Sequence, residues 1–215
     1  MATRVLIVDD HPATREGLAM RLSIQADLEV CGEAADVGDA LKLLASAHPD
    51  VAIIDIQLKT SDGLELVKRI KTHDQSVRVL VWSVYPDKLY AERALNAGAM
   101  GYINKEHTTD RIMEAIRCVR DGKVYLCEEM AERLLSRAVG GTESLRDSPI
   151  DSLSDRELEV FRLIGEGLPT AQLAQRLHLS RHTVDTHRQR IKEKLNLASA
   201  AELTQAATRW VLERK

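Results

Sequence analysis

The chain has 215 residues, 44% of them hydrophobic and 29% charged, with a formal net charge of −3. This composition is typical of a soluble globular protein and argues against disorder, and the length is enough for two ordinary domains. Apolar runs fall far short of the roughly 20 residues that span a bilayer, so we expect a cytoplasmic protein that does not bind membranes. The three cysteines have spacings that match no paired zinc motif and should be reduced thiols.

Charge divides the chain into two different halves. Residues 1–130 contain 16 basic and 21 acidic side chains, whereas residues 147–215 contain 11 basic and 10 acidic ones. Within the second half, residues 180–195 carry five basic side chains against two acidic ones. Positive charge concentrated on one short segment is typical of a surface that binds nucleic acid.

The first half alternates short apolar runs with segments of helical spacing, which predicts five β/α units. The predicted strands comprise residues 4–9, 28–34, 51–55, 77–83 and 100–104. Apolar strands joined by crossover helices form a parallel sheet covered on both faces, so we predict a doubly wound α/β domain. In such sheets, functional groups gather beyond the carboxyl ends of the strands.

Three carboxylates lie at those strand ends. Asp9 and Asp10 end the first strand and Asp55 ends the third, so folding should bring them to one edge of the sheet. Close carboxylates repel one another and need a cation, and oxygen ligands suit Mg²⁺. Ser83 ends the fourth strand and Lys105 follows the fifth, which adds a hydroxyl and an ammonium group. This set predicts a phosphoryl site, although each acid taken alone could simply be the N-cap of the next helix.

Residues 1–125 resemble the receiver domain of two-component response regulators. The resemblance rests on the acidic pair "DD", on "IIDI", on "VWSV" and on the lysine of "GYINK". It implies a flavodoxin-like fold in which Asp55 accepts a phosphoryl group. It also implies that Ser83 and Lys105 contact the phosphoryl oxygens.

The same resemblance implies a set of metal ligands. Asp10, Asp55 and the backbone carbonyl of Gln57 would hold Mg²⁺, and Asp9 would support the ion through water. The Mg²⁺ ion would be the only cofactor.

Three further positions follow from the comparison with receiver domains. Tyr102 matches the aromatic switch position, and it is expected to turn inward when Ser83 moves toward the phosphoryl group; a half-buried edge tyrosine is the alternative. Lys59 and Glu106 stand where the family usually has proline. These two departures bear on loop rigidity and phosphoryl lifetime, because neither removes a reacting group.

A linker is predicted between the two halves. Residues 127–139 have helical spacing, and residues 140–151 are a Gly/Ser/Asp/Pro stretch without periodicity. Residues 126–150 are therefore expected to form a linker helix followed by a flexible linker.

Residues 151–215 are predicted to form four helices. Ser154 and Glu157 make a capping box, Gly167 supplies a stop, and Ser180 caps the third helix. Apolar stripes on the second and third helices face each other and leave the polar face of the third helix outward. This pattern predicts a helix-turn-helix whose second helix enters the major groove of DNA.

Residues 150–213 resemble the LuxR-type effector domain of NarL-class regulators, from "LSDRELEVF" through "KEKLNL". By family position, the residues that face base edges are Asp185, Thr186 and Gln189. The candidates for phosphate contacts are Arg188, Arg190, Lys192 and Lys194. Asp185 departs from the family, in which many members have lysine, and it could also be a solvated acid at the helix start.

The last predicted helix, residues 199–213, carries an apolar stripe. The stripe consists of Ala200, Leu203, Ala207, Trp210 and Val211. The family implies dimerisation through this helix, but an apolar stripe does not name its partner, and packing on its own domain is the alternative.

These observations predict a response regulator rather than an enzyme. A sensor histidine kinase would phosphorylate it on an aspartate, and the phosphorylated homodimer would bind double-stranded DNA. A Mg²⁺-dependent phosphohydrolase with an aspartyl phosphate is disfavoured, because Gln57 stands where a second carboxylate would be needed. A constitutive DNA-binding regulator with a vestigial receiver stays open.

Overall fold

The fold is given by a computed structural model of the chain. It describes residues 2–58, 61–107, 109–139, 149–177 and 179–213. Two compact units are formed, by residues 1–140 and by residues 141–215. Within the described ranges, no helix combines the length and the apolar character needed to cross a membrane. The three cysteines are free thiols and half-buried.

The first unit is an α/β domain. Its elements in chain order are β1 (Thr3–Val8), α1 (Pro12–Ser23), β2 (Leu28–Ala34), α2 (Val37–Ala47), β3 (Val51–Ile54), β4 (Gln57–Leu58), β5 (Ser61–Asp62), α3 (Gly63–His73), β6 (Arg78–Ser83), α4 (Asp87–Ala97), β7 (Gly101–Asn104), α5 (Thr109–Arg120) and α6 (Glu128–Val139).

The main sheet has the order β2-β1-β3-β6-β7, and every neighbouring pair is parallel. Side chains alternate between its two faces. On one face, α1 and α5 pack on a core that includes Val5, Ile53 and Leu80. The helices α2 and α4 contact other strands of the sheet, and α3 packs between these two helices. The predicted doubly wound five-stranded fold is confirmed, and all five carboxyl ends lie at one edge.

A short hairpin that the sequence did not predict follows Asp55. Its strands β4 and β5 pair antiparallel, with Gln57 opposite Asp62. The Asp62 side chain then caps α3 by accepting a hydrogen bond from the backbone N–H of Leu64. A Cβ atom on Gly63 would lie 1.9 Å from the carbonyl oxygen of Asp55, so only glycine permits α3 to begin against the end of β3.

The helix α6 belongs to the first compact unit. Lys88 of α4 and Glu129 of α6 form an ion pair at 2.7 Å. The bounds of α6 lie within one residue of the segment 127–139 that was predicted as helical. The predicted flexible linker, residues 140–151, falls outside the described residues except for its last three positions.

The second unit is entirely helical in its described part. A 3₁₀ turn at Pro149–Ser152 leads into α7 (Asp155–Gly165), α8 (Thr170–Arg176), α9 (Arg181–Lys194) and α10 (Ala200–Leu212).

The predicted helix boundaries of this unit are confirmed at three positions. Ser154 and Glu157 form both halves of the capping box. Ser180 accepts a hydrogen bond from the backbone N–H of Thr183 at the start of α9. Gly167 follows α7 with a φ of +86°, a left-handed conformation that glycine adopts without strain.

The helix-turn-helix consists of α8 and α9. The two helices are in contact, and Leu173 and Leu177 on the α8 side are fully buried, as are Val184 and Ile191 of α9. This confirms the facing apolar stripes and leaves the polar face of α9 exposed.

The helix α10 packs against α7 of its own domain. Leu203, Ala207 and Trp210 are buried, and the Trp210 ring meets Phe161 edge-on at 5.6 Å. A Cβ atom on Gly165 would lie 2.4 Å from the Ala207 carbonyl oxygen, so the two helices approach closely. Most of the predicted stripe is therefore used within the domain, and a dimer contact through α10 has to use its opposite side.

Candidate functional site

The carboxyl ends of β1 and β3 bring three carboxylates together. Asp9, Asp10 and Asp55 are 1%, 6% and 3% exposed. Their ligand oxygens and a ring nitrogen of His11 all lie within 4.8 Å of one another. Backbone hydrogen bonds hold this edge, since the Asp55 N–H donates to the Val8 carbonyl at 2.9 Å.

Lys105 and Ser83 converge on the same carboxylate. Lys105 Nζ lies 2.6 Å from Asp9 Oδ2 and 2.6 Å from Asp55 Oδ2. The Ser83 hydroxyl donates a hydrogen bond to Asp55 Oδ1 at 2.8 Å, and the Gln57 backbone N–H donates to that oxygen at 3.3 Å. Hydrogen-bond donors therefore surround both oxygens of Asp55. The same donors could bind the oxygens of a phosphoryl group attached to this carboxylate.

The electrostatic state of Asp55 follows from its burial. Burial raises the pKa of the Asp55 carboxyl above its ordinary value, and the Lys105 ammonium offsets only part of that rise. Three carboxylates face one ammonium group, so the cluster has an excess of negative charge.

The residues of this cluster fit Mg²⁺. Asp10 is buried, yet no described residue donates a hydrogen bond of acceptable angle to its Oδ1. A buried carboxylate oxygen left without a donor is a ready ligand for a hard divalent cation. Gln57, whose carbonyl was predicted as a further ligand, lies in β4 two residues beyond Asp55.

The exposed face of α9 forms a second candidate site. A shallow groove is lined by His182, Asp185, Thr186, Gln189, Arg190 and Glu193. The Gln189 amide donates to Glu193 Oε1 at 2.8 Å, so its amide group is already oriented along the helix. Four of the predicted DNA contacts, Asp185, Thr186, Gln189 and Arg190, thus share one surface.

Two other predicted phosphate contacts are engaged within the domain. Arg188 donates to the Thr170 hydroxyl at 3.2 Å, where α8 begins. Lys194 Nζ lies 2.6 Å from Glu157 Oε2 and also donates to the Ser152 carbonyl at 3.1 Å. Lys194 therefore ties the end of α9 to the start of α7.

Comparison with known proteins identifies the family of each domain. The model of the response regulator receiver domain matches residues 5–117, and that of the bacterial regulatory proteins of the luxR family matches residues 151–207. The chain is a two-component response regulator with a LuxR-type DNA-binding domain.

Relatives of this response regulator match it over nearly its whole length. The response regulator GacA of Pseudomonas aeruginosa is 34% identical over 96% of this chain and 95% of its own. The oxygen regulatory protein NreC of Staphylococcus carnosus is 34% identical over 95% of this chain and 96% of its own. A solved structure of two RcsB dimers bound to two parallel DNAs is similar with a TM-score of 0.58 and 25% identity, covering 95% of this chain and 97% of that one.

The response regulator already holds Tyr102 in an inward position. Tyr102 is 1% exposed, and its hydroxyl donates to the Tyr85 carbonyl at 2.8 Å. Burial raises the pKa of Tyr102 well above its usual value, so the phenol stays protonated and able to donate. The sequence predicted inward movement only after Ser83 shifts and named a half-buried edge position as the alternative. The structure shows a fully buried ring with Ser83 still bonded to Asp55.

One departure from the receiver family has a local structural consequence. The Glu106 backbone N–H donates to Asn104 Oδ1 at 2.8 Å, and the Asn104 amide donates to the Tyr85 carbonyl at 2.9 Å. A proline in place of Glu106 could not donate the first of these bonds. Lys59, the other departure, lies outside the described residues.

Sequence reasoning missed two residues at these sites. His11 directly follows Asp10, so its adjacency to the acidic pair could have suggested it. Glu193 lies four residues after Gln189, so the helical period could have placed it on the same face. His182 also lines the α9 groove, where a packing or phosphate-contact role was predicted for it.

Proposed function

We propose that Asp55 of this response regulator accepts a phosphoryl group from a sensor histidine kinase, with Mg²⁺ held by the acidic cluster. The observation that carries the proposal is the convergence of the Ser83 hydroxyl and the Lys105 ammonium on the buried Asp55 carboxylate. A phosphoryl group attached to Asp55 would contact both the Ser83 hydroxyl and the Lys105 ammonium without rearrangement of the sheet.

The transfer follows from the position of these side chains. A P–O bond forms on the Asp55 carboxylate while the P–N bond of the kinase phosphohistidine breaks, and the leaving imidazole keeps the electron pair and takes up a proton. Bound Mg²⁺ would supply positive charge for the phosphoryl oxygens. Lys105 can exchange its contact with Asp55 for one with a phosphoryl oxygen, and Ser83 can turn its hydroxyl toward another. The phosphoryl group then places a charge of about −1.5 to −2 where a single carboxylate charge was, and this alters the surroundings of Tyr102.

Loss of the phosphoryl group would be slow, and the chain would act on itself alone. A phosphohydrolase of this chemistry needs an acid or base near the aspartyl phosphate. Gln57 occupies that position with an amide, and its Oε1 lies 3.3 Å from the Tyr85 hydroxyl. An amide side chain does not titrate, so Gln57 cannot serve as that general acid or base.

The second half of the proposal concerns DNA. A phosphorylated homodimer would present two copies of the α9 face to the major grooves of two half-sites. In that complex Asp185, Thr186 and Gln189 would face base edges, while Arg188, Arg190 and Lys192 would contact phosphates. The solved structure of RcsB dimers bound to DNA, at 25% identity, supports binding of DNA by a dimer.

The phosphoacceptor is tested by labelling the purified full chain with a small acyl phosphate and Mg²⁺. Intact mass should show one added phosphoryl group that hydroxylamine removes, and Asp55→Asn should not gain it. Asp39→Asn is the matched control, because Asp39 is an exposed acid paired with Lys42 on the surface of α2. Equal labelling of the Asp55→Asn protein would contradict the assignment.

A further inference from the structure

His11 lies beside the acidic cluster and has no part in the phosphoryl transfer described above. Its backbone is extended, with φ −91° and ψ 108°, as expected before the ring of Pro12. The His11 backbone N–H donates to Asp9 Oδ1 at 2.8 Å. This turn places His11 beside the acidic cluster, and its side chain is 62% exposed.

The imidazole is close enough to share an ion with the carboxylates. His11 Nδ1 lies 2.7 Å from Asp10 Oδ1 and 3.5 Å from Asp9 Oδ1. Despite the short distance, Asp10 Oδ1 accepts no hydrogen bond of acceptable angle from any residue that the structure describes. A ring nitrogen and a buried carboxylate oxygen held together without a hydrogen bond are placed as two ligands of one cation would be.

The imidazole ring does not cap the helix that His11 precedes. Although His11 is the N-cap residue of α1, its side chain makes no capping hydrogen bond with the described residues of that helix. Removing the ring therefore leaves the helix start intact, and the ligand role can be tested without loss of the fold.

We propose that His11 Nδ1 is an additional metal ligand and gives this site a preference for a transition-metal cation of the Mn²⁺ type over Mg²⁺. Mg²⁺ prefers oxygen ligands and retains its waters, whereas divalent ions of the first transition row, Mn²⁺ included, accept an imidazole nitrogen as a ligand more readily. Coordination through Nδ1 leaves the proton on Nε2, which can face solvent. The inference rests on the metal site of the proposed function.

The test measures the affinity of the full chain for Mn²⁺ and for Mg²⁺ by titration calorimetry with MnCl₂ and MgCl₂. His11→Ala should weaken Mn²⁺ binding about tenfold or more, since even outer-shell changes at metal sites cost ~10–100-fold. Its Mg²⁺ affinity should change by less than about twofold, because Mg²⁺ gains little from nitrogen. Pulsed electron paramagnetic resonance of bound Mn²⁺ should show coupling to ¹⁵N-labelled histidine in the wild type and lose it in His11→Ala.

Two controls separate this inference from the proposed metal site. His73→Ala removes an exposed histidine at the end of α3 and should change neither affinity nor coupling. Asp10→Asn should weaken both ions. If the wild type lacks nitrogen coupling, or His11→Ala weakens both ions equally, the role of His11 is contradicted while the metal site stands. If Asp10→Asn binds both ions normally, the metal site itself is wrong.

Discussion

Asp55 is a buried carboxylate in a cluster of three acids, and we propose that it is the phosphoacceptor. Burial raises its pKa, and Asp9 and Asp10 lie in the same cluster with one compensating ammonium from Lys105. The ionised Asp55 carboxylate is disfavoured by its surroundings, so it does not contribute to the stability of the domain.

Asp55→Asn should therefore stabilise the receiver. In metal-free buffer at pH 7 we expect its free energy of unfolding to rise by about 0.5–2 kcal/mol, because one buried charge is removed while the asparagine can still accept from Ser83. Urea unfolding measures this, with Asp39→Asn expected to lie near the wild type. Saturating Mg²⁺ should reduce the difference in free energy of unfolding between Asp55→Asn and the wild type, because the ion binds to the folded wild type and stabilises it. A clear destabilisation by Asp55→Asn in metal-free buffer would disagree with this account.

At the residue scale, the convergence of Asp9, Asp55 and Ser83 at one sheet edge could be predicted from the sequence, whereas the positions of neighbouring side chains could not. Asp9, Asp55 and Ser83 each follow an apolar run, and parallel strands bring such positions to one edge. The inward position of Tyr102 depends on a hydrogen bond to the Tyr85 carbonyl, which leaves no local trace in the sequence. The position of the His11 ring is likewise a matter of side-chain conformation.

At the scale of elements, the end of α9 is joined to the start of α7 by Lys194 and Glu157. The Glu157 side chain is 4% exposed, and Lys194 is 40% exposed. Burial pushes the pKa of Glu157 upward, but hydrogen bonds from Lys194 and Ser154 outweigh it and leave the pKa below the ordinary 4.5. This pair spans 37 positions of the chain, so no local pattern predicts it.

Lys194→Ala should destabilise the DNA-binding domain, because it leaves the Glu157 carboxylate buried without its ammonium partner. We expect a loss of about 1–3 kcal/mol at pH 7. A lowered folded-state pKa contributes stability above the unfolded value, and that stability disappears as the pH falls through the folded value. The difference between wild type and variant, measured by thermal unfolding, should therefore shrink below about pH 4. Adding Glu157→Gln to Lys194→Ala should recover part of the lost free energy of unfolding. A Lys194→Ala protein as stable as the wild type at pH 7 would refute the stabilising role of the Lys194–Glu157 contact.

The exposed face of α9 should separate two kinds of DNA contact. Lys192→Ala should weaken binding to all sequences alike and lower the slope of log K against log salt by about one. Gln189→Ala should instead alter the preference at one base pair, by about 1–3 kcal/mol. Binding to a panel of operators at several salt concentrations checks both. If the two variants exchange these behaviours, α9 is rotated relative to the proposed orientation.

Element boundaries were predictable where the signals are local. The capping box at Ser154 and the cap at Ser180 depend on residues within one turn, and both are observed. The hairpin of β4 and β5 was not predicted, because two-residue strands carry too few positions for a period-two pattern. The packing of α10 on α7 depends on Gly165, whose role is visible only when the two helices meet.

At the scale of the whole molecule, the chain combines an acidic receiver and a domain with a basic recognition segment. The first 130 residues carry five more acidic than basic side chains, whereas residues 147–215 carry one more basic than acidic. If phosphorylation favours a homodimer, the two linked α9 helices gain affinity for paired half-sites without any new contact to DNA.

The most direct test of this account measures binding of the full chain to one operator at fixed salt, before and after labelling with an acyl phosphate and Mg²⁺. Phosphorylated wild type should bind about tenfold more tightly or better, with a steeper dependence on protein concentration. Asp55→Asn should bind as the unlabelled wild type does, with or without the donor. If the wild type carries the phosphoryl group on Asp55 and still binds with unchanged affinity and steepness, the receiver does not control DNA binding, and the chain is a constitutive regulator.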